Sequence, residues 1–213
     1  MKSRALRGVY DLPNILIANY GVGNLRSLRR GLERAGARVT IGLGPKEVEA
    51  SDAIVLPGVG AFRAAMEGLD AIRGALIAQA EGGKPILGIC LGMQLLLSRS
   101  HENGVWDGLD LVKGEVTRLP GFVRLPHMGW DEVIITRDSG IAEGIPSGAL
   151  MYFAHSYAPE LLDGSAEVAY TEYGRKFASI IERGNLFGTQ FHPEKSGELG
   201  TRLLRNFVSI AKR

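Results

Sequence analysis

A chain of 213 residues, 45% of them apolar, can bury one substantial core, and its 29 glycines point to tight turns rather than disorder. The 25 Lys and Arg are interspersed with 23 Asp and Glu, leaving a formal charge of +2 and no sign of a nucleic-acid or membrane partner. A single cysteine excludes an internal disulfide framework, and no apolar stretch long enough for a signal peptide or membrane span opens the chain. The expectation is a cytoplasmic protein in which residues 1–13 form a tail.

In chain order, Asn14 to Ala18 read as an apolar strand. The loop Asn19-Tyr20-Gly21-Val22-Gly23-Asn24 follows, then a helix with Leu25, Leu28, Leu32 and Ala35 on one face. Such a loop invites a dinucleotide-binding reading, but the third glycine of G-x-G-x-x-G is missing. The next strand, Arg38 to Leu43, also ends without an acidic partner for a ribose, so that site is rejected. Asp52 to Leu56 form a third strand that runs into Pro57-Gly58-Val59-Gly60. Helical segments from about Phe62 to Ala80 then lead to a fourth, Ile86 to Ile89. This alternation predicts an α/β fold with a doubly wound, mostly parallel sheet, flanking helices, and ligand crevices at the carboxyl ends of the strands. After about residue 103 the pattern changes. Val112 to Leu119, Met128 to Thr136, Leu150 to Tyr157, Ala166 to Tyr170, Phe177 to Glu182 and Leu186 to Phe191 are β-rich runs without amphipathic helices between them, so antiparallel hairpins should dominate. A last helix, Glu198 to about Lys212, carries Leu199, Leu203, Leu204, Phe207 and Val208 on one face.

Cys90 lies between two glycines in Gly88-Ile89-Cys90-Leu91-Gly92, at the junction of the fourth strand and a helix read from Met93, Leu96 and Leu97. A sharp G-x-nucleophile-x-G turn lifts a side chain clear of the sheet, and the helix N-terminus behind it favours an anion. A buried inert thiol fits the turn equally well. A nucleophilic cysteine needs a base, and Phe191-His192-Pro193-Glu194-Lys195-Ser196 offers His192, with Glu194 to hold its tautomer; a hydrogen-bonded structural histidine is the commoner reading of such a pair. Oxyanion donors would come from the amide of Leu91 and from one in Gly58-Val59-Gly60. His101, His127 and His155 have no second cysteine and no paired spacing, which argues against a metal, and no cofactor is expected.

Gly88-Ile89-Cys90-Leu91-Gly92-Met93-Gln94 together with His192-Pro193-Glu194-Lys195-Ser196 resembles the class I (triad) glutamine amidotransferases. Tyr20 to Asn24, Leu56 to Gly60, Pro126-His127-Met128-Gly129-Trp130 and Tyr152 to Tyr157 are similar to the glutaminase subunits of imidazole glycerol phosphate synthases, and the resemblance covers residues 14–213 as one domain. It implies a flavodoxin-like fold and glutamine hydrolysis through a Cys90-His192-Glu194 triad. Leu91, Gly58 and Val59 would form the oxyanion hole. Gln94 and Glu102 would hold the α-amino and carboxylate end of L-glutamine, with Gly60, Ser156 and Tyr157 helping to place it. The ammonia would pass to a separate (β/α)₈-barrel cyclase subunit in histidine biosynthesis, with Tyr20, Asn24, Trp130, Tyr152 and Lys195 facing that partner. Partner-dependent turning of the Gly58–Val59 peptide would couple the two reactions, and Gly58→Ala should oppose it if the turn needs a positive φ. By residue type alone, Trp130 and Tyr152 read as core, and only the resemblance turns them outward.

Overall fold

The computed structural model describes residues 12–21, 24–162, 164 and 166–212. Residues 1–11 of the expected tail, and Val22 and Gly23 of the first glycine loop, lie outside the described residues. The first half alternates strand and helix: β1 (Asn14–Ala18), α1 (Leu25–Arg34), β2 (Arg38–Gly42), α2 (Pro45–Ala50), β3 (Ala53–Leu56), α3 (Phe62–Leu69), α4 (Arg73–Glu81), β4 (Ile86–Ile89) and α5 (Leu91–Leu95). Strands then follow one another: β5 (Leu97–Ser100), β6 (Trp106–Asp107), β7 (Val112–Arg118), β8 (His127–Ile135), β9 (Ala149–His155), β10 (Tyr157–Leu161), β11 (Glu167–Glu172), β12 (Lys176–Arg183) and β13 (Leu186–Thr189). A 3₁₀ turn over Pro193–Lys195 leads into α6 (Gly197–Ala211).

Nine strands form one sheet in the order β2-β1-β3-β4-β13-β12-β11-β8-β9. Its first five are parallel and the rest antiparallel, the expected α/β architecture with hairpins in the second half. Strand periodicity explains why the parallel half is covered on both sides. Ile15, Ile17, Val55, Leu87 and Ile89 point into a core shared with Leu28 and Leu32 of α1 and Leu203, Leu204 and Phe207 of α6. Leu16, Ile54, Leu56 and Ile86 point the other way, onto Val48, Phe62, Leu69, Leu76 and Met93 of α2 to α5. Strands with both faces buried read as unbroken apolar runs, which is why β1, β3, β4 and β13 were legible. A smaller sheet, β10-β7-β5-β6, packs against the second core.

Three local expectations are corrected. Leu97, assigned to the helix after Cys90, instead opens β5, which pairs with β6 and β7. Leu95, Leu96 and Leu97 are all fully buried, so apolarity runs through every position and helical spacing carries no information there. The run Leu150 to Tyr157 is two strands: β9 pairs with β8 in the large sheet, β10 pairs with β7 in the small one, and the chain changes sheets at Ser156. Helix α2 was not anticipated, although its signals were present: Pro45 in its first turn, and a Glu47 carboxylate that accepts from the Gly44 amide at 2.7 Å.

Candidate active site

Three neighbouring parallel strands, β3, β4 and β13, end side by side, and each delivers one expected part of the site. Pro57-Gly58-Val59-Gly60 follows β3, Cys90 follows β4, and Gln190, Phe191 and His192 follow β13. Cys90 has φ 51° and ψ −107°, a conformation that L residues rarely hold, and its N–H donates to the Thr189 carbonyl at 2.6 Å. The turn exists because its backbones nearly touch. A Cβ at Gly92 would lie 1.9 Å from the Leu56 carbonyl oxygen; one at Gly88 would lie 2.4 Å from that of Gly92, and one at Gly58 2.5 Å from the Gly92 nitrogen. Glycine is required at these three positions for space.

Beside the thiol, Nδ1 of His192 meets Oε1 of Glu194 at 3.0 Å, with both side chains about 95% or more buried. Burial alone would lower the imidazole pKa. Hydrogen bonding and charge from Cys90 and Glu194 outweigh that and raise it to about 10, so at neutral pH the ring is held as a cation. Among the described residues, no hydrogen bond of normal geometry reaches Nε2, and Cys90 lies near enough to help raise the pKa. Such bonds are often long before substrate arrives. Ser196 locks the base in place: its hydroxyl donates to the His192 carbonyl at 2.7 Å and accepts from the Tyr152 N–H at 3.0 Å, while the His192 N–H donates to the Tyr152 carbonyl at 2.9 Å.

A cavity of about 300 Å³ opens over Cys90 and brings together Gly60, Gln94, Glu102, Ser156 and Tyr157, expected to hold substrate, with Val59 and Leu91, expected in the oxyanion hole. As the first residue of α5, Leu91 has an amide with no intrahelical acceptor, directly after the nucleophile. Gln94 donates from Nε2 to the Tyr157 carbonyl at 2.9 Å and to Gln190 at 3.1 Å. One Glu102 oxygen accepts from the Phe62 N–H at 2.6 Å, tying the far wall of the cavity to the start of α3. A larger cavity of about 690 Å³ around Ser51, Lys84 and Asn185 lies at the opposite ends of the strands and is lined by neither cysteine nor histidine, so chemistry rather than size selects the site.

On the other side of the triad, a cleft of about 10 Å³ is lined by Asn24, Gly58, Val59, His192, Glu194 and Lys195, and Val59 borders both spaces. Trp130 is 55% exposed, and its ring meets Tyr152 edge-on at 6.1 Å; the Lys195 ammonium lies 5.6 Å from the Tyr152 ring. Tyr20 departs from expectation. It is buried, with its hydroxyl donating to the Pro57 carbonyl just past the end of β3. Gly58 also differs from its expected part: positive φ falls at Gly60 (φ 124°), so Gly58→Ala would break the packing of the turn before it tested any amide rotation.

Two features escaped the sequence reading. Gln190, fully buried, directs Nε2 at the Cys90 sulfur at 3.5 Å; the signal was a polar Thr189-Gln190 pair inside an apolar run. His127 and His155 form a buried pair at 3.2 Å, with His127 also 3.0 Å from Asp131 and stacked on Tyr173. Among the described residues, no group of three or more His, Cys, Asp or Glu is arranged to hold a metal ion.

The model of the glutamine amidotransferase class-I family matches residues 16–211. The chain belongs to the class-I glutamine amidotransferases. Proteins named imidazole glycerol phosphate synthase subunit HisH are similar to this amidotransferase over nearly its whole length. That of Haloarcula marismortui is 49% identical, the match covering 92% of this chain and 94% of the relative; that of Natronomonas pharaonis is 51% identical over 91% and 93%. Among solved structures, PurLQS from Thermotoga maritima superposes with a TM-score of 0.75 at 20% identity, over 94% of this chain and 99% of the matched one, a likeness of fold.

Proposed function

We propose that this chain is the glutaminase subunit of an imidazole glycerol phosphate synthase, hydrolysing L-glutamine and passing the ammonia to a barrel cyclase subunit in the cytoplasm. The observation that carries the chemistry is the meeting of Cys90, the His192–Glu194 pair and the Gly58-Val59-Gly60 loop at three adjacent strand ends over one cavity. The identity of its relatives at about half of all positions supports the choice of synthase.

In this reading the Cys90 thiolate adds to the side-chain amide carbon, and the oxyanion takes the Leu91 amide and one from the loop. His192 gives its proton to the leaving nitrogen, so ammonia departs and a γ-glutamyl thioester remains on Cys90. Water, deprotonated by His192, then adds to the thioester, and glutamate leaves as the thiol is restored. Gln94 and Glu102 bind the amino-acid end of glutamine, and the second carboxylate oxygen of Glu102 is the natural partner of the α-ammonium. Asn24 and Lys195 border the side from which ammonia leaves, and Trp130, Tyr152 and Lys195 supply the docking surface. Since the Tyr152 backbone is bonded directly to His192 and Ser196, pressure on the docked face reaches the base through two hydrogen bonds. No helix among the described residues is long and apolar enough to cross a membrane.

Ammonia release from glutamine, measured for the chain alone and with a barrel cyclase plus its phosphoribulosyl substrate, tests the proposal. Strong stimulation by the complex is expected. High turnover by the isolated chain would favour a free-standing amidase instead.

A further inference from the structure

We infer that Gln190 is a thiolate-holding residue, whose side-chain amide donates to Cys90 and joins the nucleophile to the glutamine-binding wall; this deepens the glutaminase reading above and rests on it. The orientation of the amide follows from a group that can only accept. Gln94 Nε2 sits 2.9 Å from the Tyr157 backbone carbonyl, so that end of Gln94 must be its NH₂. The same nitrogen lies 3.1 Å from Gln190, so the Gln190 atom facing it is the carbonyl oxygen. The remaining end of Gln190, its NH₂, therefore points at the Cys90 sulfur 3.5 Å away. Flipping Gln190 would set two NH₂ groups against each other and turn an oxygen toward the sulfur.

Burial makes this contact consequential. Gln190 is fully buried and Gln94 and Cys90 are 5% exposed, so water is poorly placed to replace the donor. The backbone of Gln190 is fixed as well, its N–H donating to the Ser179 carbonyl at 3.0 Å on the neighbouring β12. A rigid neutral donor aimed at sulfur favours the thiolate without competing for the proton that His192 must deliver. The chain Tyr157–Gln94–Gln190–Cys90 also runs from the substrate wall to the nucleophile, so displacement of Gln94 loosens the donor.

The test is the pH profile of Cys90 alkylation by iodoacetamide in the full chain, for wild type and Gln190→Met, which keeps length and volume but removes the donor. The expected result is a midpoint about one pH unit higher and a kcat for glutamine about tenfold lower, as for loss of one hydrogen bond to a charged group. A second measurement needs no variant. In wild-type protein the Gln190 side-chain ¹⁵N–¹H resonances should move with the same midpoint as the alkylation profile. An unchanged profile in folded Gln190→Met, or Gln190 resonances indifferent to Cys90 ionisation, would overturn the inference. If wild type alkylates as described but does not hydrolyse glutamine, the function proposed above fails while the Gln190–Cys90 contact stands.

Discussion

In the parallel half of the large sheet, the chemistry sits where backbones nearly touch, whereas the antiparallel half ends in an edge that exposes Met128, Trp130 and Leu150 on one face. Gly58, Gly88 and Gly92 have no room for a methyl group, but Gly129 on β8, at φ 142°, has nothing within 4 Å of the place where its Cβ would stand. The two halves also treat buried histidine in opposite ways. His192, beside Cys90 and Glu194, is kept protonated up to about pH 10. For His155, burial is the main cause and His127 adds to it; the pKa falls to about 3 and the ring stays neutral. The lesson is that one half builds a fixed, charged reaction centre, and the other builds a neutral, aromatic support that can present an adaptable surface.

The largest effect is expected where the first half is tightest. Gly92→Ala should cost more than about 4 kcal/mol and abolish folding or activity, since its methyl would meet the Leu56 carbonyl. Gly129→Ala should cost about 1–2 kcal/mol, from backbone strain alone. Chemical denaturation of both variants checks the contrast, and equal costs would break it. Next, removing the base in His192→Gln should lower kcat by about 10²–10⁴-fold with the fold retained, as read by steady-state ammonia release. Trp130→Ala should leave the isolated chain as stable as wild type and weaken docking of the cyclase by about 2 kcal/mol, measured by titration calorimetry.

The most gradual effect is the pH dependence, and its sign differs between the two histidines. His155 has a folded pKa below its unfolded value near 6.5, so its contribution is complete above about pH 6.5 and is lost as pH falls toward about 3. Within that window wild type should lose about 1.4 kcal/mol per pH unit more than His155→Gln. His192 has a folded pKa above its unfolded value, so its contribution is present below about pH 6.5 and is lost as pH rises through about 10. Urea melts from about pH 4 to about pH 9 read both limbs.

Legibility in the sequence followed the same division. Strands β1, β3, β4 and β13 were plain because burial on both faces makes each a largely unbroken apolar run, and Cys90 and His192 were found because each sits just past the end of such a run. The edge was harder to read. Leu150 to Tyr157 looks like one strand because alternation continues through Ser156, and only pairing partners reveal that the chain changes sheets there. Tyr20 and Trp130 are both aromatic residues near glycine, yet one is buried and the other exposed, a difference set by tertiary packing and invisible to residue type. Gln190 was missed because a polar residue in a buried strand declares only that it needs partners, and its partners lie 96 and 100 residues away.

The most direct test of the central claim is to trap the acyl-enzyme: mix the chain and its cyclase partner with glutamine, quench in acid, digest, and weigh the peptide that carries Cys90. The account predicts a γ-glutamyl adduct on Cys90 in the wild-type complex, which never forms in Cys90→Ser, a variant that also releases no ammonia. Ammonia release by Cys90→Ser at the wild-type rate, or an adduct on any other residue, would contradict it.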